Sequence, residues 1–123
     1  IHLGVNDINR GQTGESTAQQ LSAFIELLKQ QLPNAQIIYV NICNNINYTH
    51  KHEQYLAHNQ AIKTYIDGAD NVTLVDFAKA QADNANLWAN GGFIEGDTTH
   101  LTAEAYRTFA DMVLSAINGL SAN

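Results

Sequence analysis

The residues best suited to chemistry in this chain lie in two short polar clusters near its two ends. The later cluster is Asp97-Thr98-Thr99-His100, in which a carboxylate precedes a histidine by three residues. A carboxylate in the same turn can hold Nδ1–H of the imidazole and leave Nε2 to act as a general base. A single histidine before a helix is more often an ordinary surface residue, so the spacing gains meaning only beside a second cluster.

The earlier cluster is Gly4-Val5-Asn6-Asp7, which follows what reads as the end of a strand, Ile1 to Gly4. Glycine allows a sharp backbone turn, and an asparagine amide at a strand end is a neutral donor that could stabilise a developing oxyanion. Taken alone, Asn-Asp is ordinary turn sequence. In an open parallel sheet, however, sites form where strands end, and both clusters are predicted to lie there.

The hydrophobic pattern predicts the elements that position these clusters. Ser16 and Gln19 have the form of a capping box for an amphipathic helix. Continuous apolar runs indicate buried parallel strands, and Thr102 is suited to cap the last helix. The predicted order is helix 17–32, strand 37–42, helix 55–66, strand 72–76, a long loop 81–99 with one helical turn, and a helix from Thr102 ending near Gly119. This order predicts a three-layer α/β/α sandwich on a parallel sheet.

The two clusters together resemble conserved blocks of the SGNH hydrolases, also called the GDSL esterase/lipase family. Residues 4–7 resemble block III, and residues 97–101 with Ala105-Tyr106 resemble block V. The resemblance implies a flavodoxin-like fold and cofactor-free, serine-dependent hydrolysis of carboxylic esters through an acyl-enzyme. It implies that Asn6 is an oxyanion-hole donor, His100 the general base, and Asp97 the residue that orients His100.

The family's nucleophile has no counterpart in this sequence. Its serine lies in a Gly-Asp-Ser motif near the N-terminus, and block II supplies a second oxyanion donor; both would precede Ile1. The serines present lack that context: Ser16, Ser22, Ser115 and Ser121. We therefore expect residues 1–123 to be a single partial domain that is inactive alone and self-associates through an uncovered edge. The alternatives are a non-catalytic α/β binding module and a degenerate, inactive family member.

Two further residues are candidates for substrate binding. Asn44 belongs to an asparagine-rich segment after the second predicted strand, and Trp88 lies in the loop before the block V turn. The amides could bind hydroxyl groups of a sugar ester, although asparagine-rich loops are also common turn material. Trp88 could wall an acyl pocket or simply attach the loop to the core. Acetylated carbohydrate is the preferred substrate class, with short-chain lipid esters and thioesters left open.

Composition argues against several other functions. The formal charge of −6 disfavours nucleic acid as a partner. No apolar run reaches the roughly 18–20 residues of a membrane span. Cys43 is the single cysteine, which excludes an internal disulfide and a multi-cysteine zinc site. His50, His52 and His58 lack nearby ligands of the expected kind, so no metal is expected.

Overall fold

A computed structural model of the chain describes residues 1–84 and 88–121. Within them the helices are α1 (Val5–Asn9), α2 (Gly14–Gln31), α3 (His52–Asp67), α4 (Phe77–Asp83) and α5 (Ala103–Ser121), and the strands are β1 (Ile37–Val40) and β2 (Val72–Val75). Short 3₁₀ segments cover Ile46–Lys51 and Ala89–Gly92. None of the described helices is long and apolar enough to cross a membrane.

The two strands pair in parallel, with Ile37 opposite Val72 and Val40 opposite Val75. Ile1 continues the parallel pairing on the other side of β1: its nitrogen donates to Ile38 O at 2.7 Å, and Val40 N donates to Ile1 O at 2.9 Å. Ile1 therefore pairs with β1 as the predicted strand would. The strand does not extend to Gly4, because Gly4 is the N-cap of α1.

Helices cover both faces of this small sheet. On one face, Ile37 and Tyr39 of β1 pack in a cluster with Leu21 and Ile25 of α2 and Ile62 of α3. On the other face, Val40 and Val75 pack against residues that include Phe77 at the start of α4 and Ala105 on α5. The three-layer α/β class predicted from the sequence is thus confirmed.

The first long helix begins earlier than predicted. Thr13, not Ser16, is its N-cap, and the Thr13 side chain accepts a hydrogen bond from Ser16 N at 3.1 Å. At Gly14 the helices α2 and α3 approach so closely that only glycine fits, since a Cβ there would lie 2.1 Å from Gln54 O. Gly14 N also donates to Gln54 Oε1 of α3 at 2.8 Å. The capping-box prediction was wrong because Thr13 caps the helix and Gly14, a poor helix former, is held in its first turn by α3.

The region after β2 also departs from the prediction. Part of the expected loop 81–99 belongs to α4, which Asp76 caps by accepting from Lys79 N at 3.1 Å. The segment Ala89–Gly92 is a turn and not the predicted regular helical turn, because Asn90 and Gly91 have positive φ angles of 50° and 61°. Residues 85–87 of that loop lie outside the described residues. Thr102 accepts from Ala105 N at 3.3 Å, as a cap does, but Gly119 does not end α5.

Candidate active site

Asp97 and His100 lie in a tight hairpin that precedes α5. An antiparallel bridge joins Phe93 to Leu101 at its base. Ile94 N donates to His100 O at 3.1 Å, and Asp97 N donates back to Ile94 O at 3.0 Å, which closes the turn. These backbone hydrogen bonds hold Asp97 and His100 close together independently of the contact between their side chains.

The Asp97 carboxylate is the centre of this turn. Its Oδ1 accepts from Thr99 N at 2.6 Å and from His100 N at 2.7 Å, while Oδ2 lies 2.9 Å from His100 Nδ1. The bond from the backbone amide of His100, the bond from its ring and the bond from the Thr99 amide lower the Asp97 pKa to about 2. An ionised carboxylate only accepts hydrogen bonds, so Nδ1 of a neutral His100 carries the proton.

The remaining nitrogen of His100 is available for chemistry. Nε2 makes no hydrogen bond to a described residue, and the His100 side chain is 66% exposed. With Nδ1 protonated, Nε2 carries the lone pair of the neutral ring. This arrangement is that of an oriented general base facing outward.

Gly4 shapes the other cluster. Its φ of 114° lies in the region that favours glycine, and a Cβ there would lie 3.1 Å from both His58 Cε1 and Ile42 Cδ1. The chain turns at Gly4 into α1, so that Asn6 is the second residue of that helix and is exposed. The Asn6 side chain forms no hydrogen bond with the described residues, which leaves its amide free to donate.

One cavity adjoins both clusters. It has a volume of about 190 Å³, and its lining includes Gly4 and Asn6 from the earlier cluster and Thr99 and Leu101, which flank His100. Asn9 Nδ2 also donates to Thr98 O at 3.3 Å, which ties α1 directly to the hairpin. The fold therefore brings together residues that are more than ninety positions apart in the sequence.

The two candidate substrate residues lie elsewhere. Trp88 is 7% exposed and packs against Phe77, with ring centroids 6.0 Å apart, so its contacts are those of a core residue. The backbone of Asn44 is held by Gln81, which donates to Asn44 O at 2.7 Å and accepts from Asn44 N at 3.0 Å. Neither residue lines the cavity beside Asn6. Substrate binding by either one stays a prediction.

The other asparagines after β1 have internal roles that the sequence did not indicate. Asn41 donates to Asp76 Oδ1 and accepts from Ala78 N, both at 2.8 Å. Asn45 and Asn47 donate to Asp97 O at 2.9 and 3.0 Å. The side chains of Asn41, Asn45 and Asn47 are thus engaged within the protein, and no local signal in the sequence pairs them with these distant partners.

The three histidines considered for metal binding each make a different contact in the structure. His58 is fully buried and its Nε2 lies 2.8 Å from Tyr39 Oη, whereas His52 Nε2 lies 2.8 Å from Asn45 O. His50 packs edge-on against Tyr48. Residues 1–84 and 88–121 contain no group of three or more acidic, histidine or cysteine side chains that could hold a metal ion. Cys43 is buried, and burial raises the pKa of its thiol to about 12.

The serines have the surroundings of helix residues. Ser16 and Ser22 belong to α2, and Ser22 Oγ donates to Ala18 O at 2.9 Å. Ser115 lies on the exposed surface of α5. Ser121 ends that helix, and its side chain is outside the described part of the chain.

Comparison with known protein families identifies a family model that matches most of the chain. The model of the GDSL-like lipase/acylhydrolase family matches residues 1–108, a range that includes both polar clusters and the start of α5. No curated protein and no solved structure matches the chain.

Proposed function

Because the chain belongs to the GDSL-like lipase/acylhydrolase family, we propose that Asp97, His100 and Asn6 act in the hydrolysis of carboxylic esters. The observation that carries the proposal is the 2.9 Å contact between Asp97 Oδ2 and His100 Nδ1. It leaves Nε2 exposed and unpaired within the described residues. A neutral imidazole oriented in this way is suited to take a proton from a hydroxyl nucleophile.

The nucleophile in this proposal is a serine in a Gly-Asp-Ser segment preceding Ile1. Its hydroxyl oxygen attacks the ester carbonyl carbon while His100 Nε2 takes the hydroxyl proton. The same proton then passes to the departing alcohol as the carbon–oxygen ester bond breaks. Water then attacks the carbonyl carbon of the acyl-serine while His100 takes a proton from it. The proton passes to the serine oxygen as the acyl–serine bond breaks, which releases the carboxylic acid and restores the serine. Asp97 stays ionised throughout and stabilises the transient imidazolium.

Asn6 supplies an oxyanion donor in this mechanism. Its amide is neutral, so it can stabilise the negative charge on the tetrahedral oxygen without repelling the imidazolium. Support comes from its position: Asn6 is exposed, and it lines a cavity shared with the neighbours of His100. The turn at Gly4 sets the position of α1, and the bond from Asn9 to Thr98 O holds α1 against the hairpin on the other side of the cavity.

The proposed acyl group is a small one such as acetyl, in line with the preferred class of acetylated carbohydrate. The cavity of about 190 Å³ beside Asn6 can hold an acetyl group; Asn6 and Thr99 line it, whereas Asp97 and His100 do not. Fewer side chains remain to bind the sugar part of such a substrate. Asn41, Asn45 and Asn47 are engaged within the protein, which leaves Asn44 as the remaining candidate for binding sugar hydroxyl groups.

Turnover of p-nitrophenyl acetate tests the proposal. We expect no serine-hydrolase activity from the 123-residue chain. A version extended upstream to include a Gly-Asp-Ser segment should hydrolyse the ester and be inactivated by a phosphonate. Phosphonate-sensitive turnover by the shorter chain would place the nucleophile among its own residues. A folded extended protein without turnover would favour the non-catalytic module or the degenerate family member.

A further inference from the structure

The hairpin that carries Asp97 and His100 is held from within the protein by two asparagine side chains. Asn45 Nδ2 donates to Asp97 O at 2.9 Å. Asn47 Nδ2 donates to the same oxygen at 3.0 Å and to Ile94 O at 3.1 Å. Both carbonyl groups that define the 94–97 turn are thus bound by the segment that follows β1.

The two asparagines also fix each other. Asn45 Oδ1 accepts from Asn47 N at 2.7 Å, and Asn45 is 1% exposed, so its side chain has little freedom. Asn90 Nδ2 lies 3.4 Å from Asn47 Oδ1 and donates to Phe93 O at 3.1 Å. The donors that face the turn are therefore preorganised.

The hairpin is also bound by Asn9, which donates to Thr98 O at 3.3 Å, but the tip before Asp97 is open. Glu95 and Gly96 are exposed, and a Cβ on Gly96 would find no atom within 4 Å. Packing on the outer side cannot set the shape of the turn. The Asp97 carboxylate depends on that shape, because Oδ1 accepts from two backbone amides of the same turn. A change at the Asp97 carbonyl would therefore move the oxygen that faces His100 Nδ1.

We propose that Asn45 and Asn47 are positioning residues for Asp97 and His100, fixing the turn so that the carboxylate meets Nδ1 of the imidazole. This inference rests on the proposed function, because it assigns the two asparagines to the support of the same Asp97–His100 pair. They do not contact substrate; they act through the backbone of Asp97. A purely structural role would stabilise the fold without altering the Asp97 carboxylate.

The test is the titration of the Asp97 carboxyl carbon by NMR, followed over the pH range in which circular dichroism shows each variant folded. It needs no nucleophile, so it can be run on the 123-residue chain and on the extended protein. The pKa of Asp97 is lowered to about 2 from an ordinary 3.8 by bonds that require the closed turn. In Asn47→Ala and Asn45→Ala, we expect this pKa to rise by about one unit. The matched control is Asn84→Ala, which removes a 2.7 Å bond to Ala80 O near the end of α4 and should leave Asp97 unchanged.

The kinetic arm uses the extended protein and p-nitrophenyl acetate. Asn47→Ala should lower kcat about tenfold with little change in KM, since the base is misplaced but the substrate contacts remain. Asn84→Ala should match the parent in both constants. If Asn45→Ala does not fold, Asn47→Ala decides the matter, because it removes two of the three bonds donated to the turn.

The two arms separate this inference from the proposed function. A raised Asp97 pKa in the asparagine variants supports the positioning role even if no version hydrolyses ester, an outcome that would overturn the hydrolase proposal alone. Folded asparagine variants with the parent's Asp97 titration would overturn the positioning role, whether or not kcat falls. Parental titration together with parental kcat would overturn it while leaving the hydrolase proposal standing.

Discussion

At the scale of single residues, the Asp97–His100 contact is almost entirely local. Asp97 and His100 are three positions apart, and the hairpin backbone provides the remaining bonds. This is why spacing alone could predict that the two residues meet. The Asn45 and Asn47 contacts to Asp97 O span 52 and 50 positions, so no local pattern could predict them.

Gly4 offers a residue-scale test of the turn that presents Asn6. Gly4→Ala should destabilise the protein by about 1–3 kcal/mol, because a Cβ meets His58, Ile42 and Thr17 and the backbone has positive φ. Gly11→Ala is the matched control, since Gly11 has a φ of 109° but a Cβ there meets nothing within 4 Å. Urea unfolding measures both variants. Equal losses would show that backbone strain alone, and not the packing at Gly4, sets the cost.

At the scale of elements, the long amphipathic helices and the buried strands were predictable because their periodicity reflects burial. The start of α2 was not, because glycine has a low helix propensity, and the close approach of Gln54 on α3 that requires glycine at position 14 is a distant contact. The short helix α4 was also missed, since seven residues carry little periodic signal and Phe77 at its start is fixed by packing against Trp88. A local sequence pattern does not predict an element whose position depends on a contact with a distant part of the chain.

The packing of α3 on β1 predicts a pH dependence of stability. Burial lowers the pKa of His58 to about 4 from 6.5; the Gly14 backbone and Asp7 oppose this shift, and His2 adds to it. Nδ1 of His58 is buried without a hydrogen-bond partner in the described structure. The unfolded chain therefore binds a proton more readily, and stability should be full above about pH 6.5 and fall towards about pH 4, by up to roughly 3 kcal/mol.

Chemical denaturation across that pH range measures the effect. His58→Gln should flatten the dependence, whereas His50→Gln, at an exposed position, should keep it. A folded His58→Gln variant with the parent's slope would show that another group is responsible. The sign matters as well: stability that rises on acidification would contradict a neutral, buried His58.

At the scale of the whole molecule, apolar surface lies beside Ile1 and Leu3 on both faces of the sheet. On the α2 side, Leu3 is 53% exposed and Phe24 is 41% exposed, beside a cavity of about 160 Å³. On the α5 side, Ile1, Phe109 and Val113 border a cavity of about 220 Å³. Neighbouring apolar openings of this kind favour association.

We expect the 123-residue chain to self-associate or to be only marginally stable. Sedimentation velocity at increasing concentration should show a rising mean mass, and Phe24→Ser should reduce the rise because it removes apolar surface next to Leu3. Leu56→Ser is the control, since Leu56 is equally apolar and 56% exposed but lies on α3. A monomer at every concentration with cooperative melting at high temperature would contradict the expectation.

We propose that His100 is the general base of an ester hydrolase, and the kcat of a His100 variant tests this role most directly. In the extended protein acting on p-nitrophenyl acetate, His100→Gln should lower kcat by about 10³-fold or more, because triad members act as a unit. His50→Gln should leave kcat at the parent's value, and circular dichroism should show that both variants are folded. A folded His100→Gln protein with the parent's kcat would contradict the account.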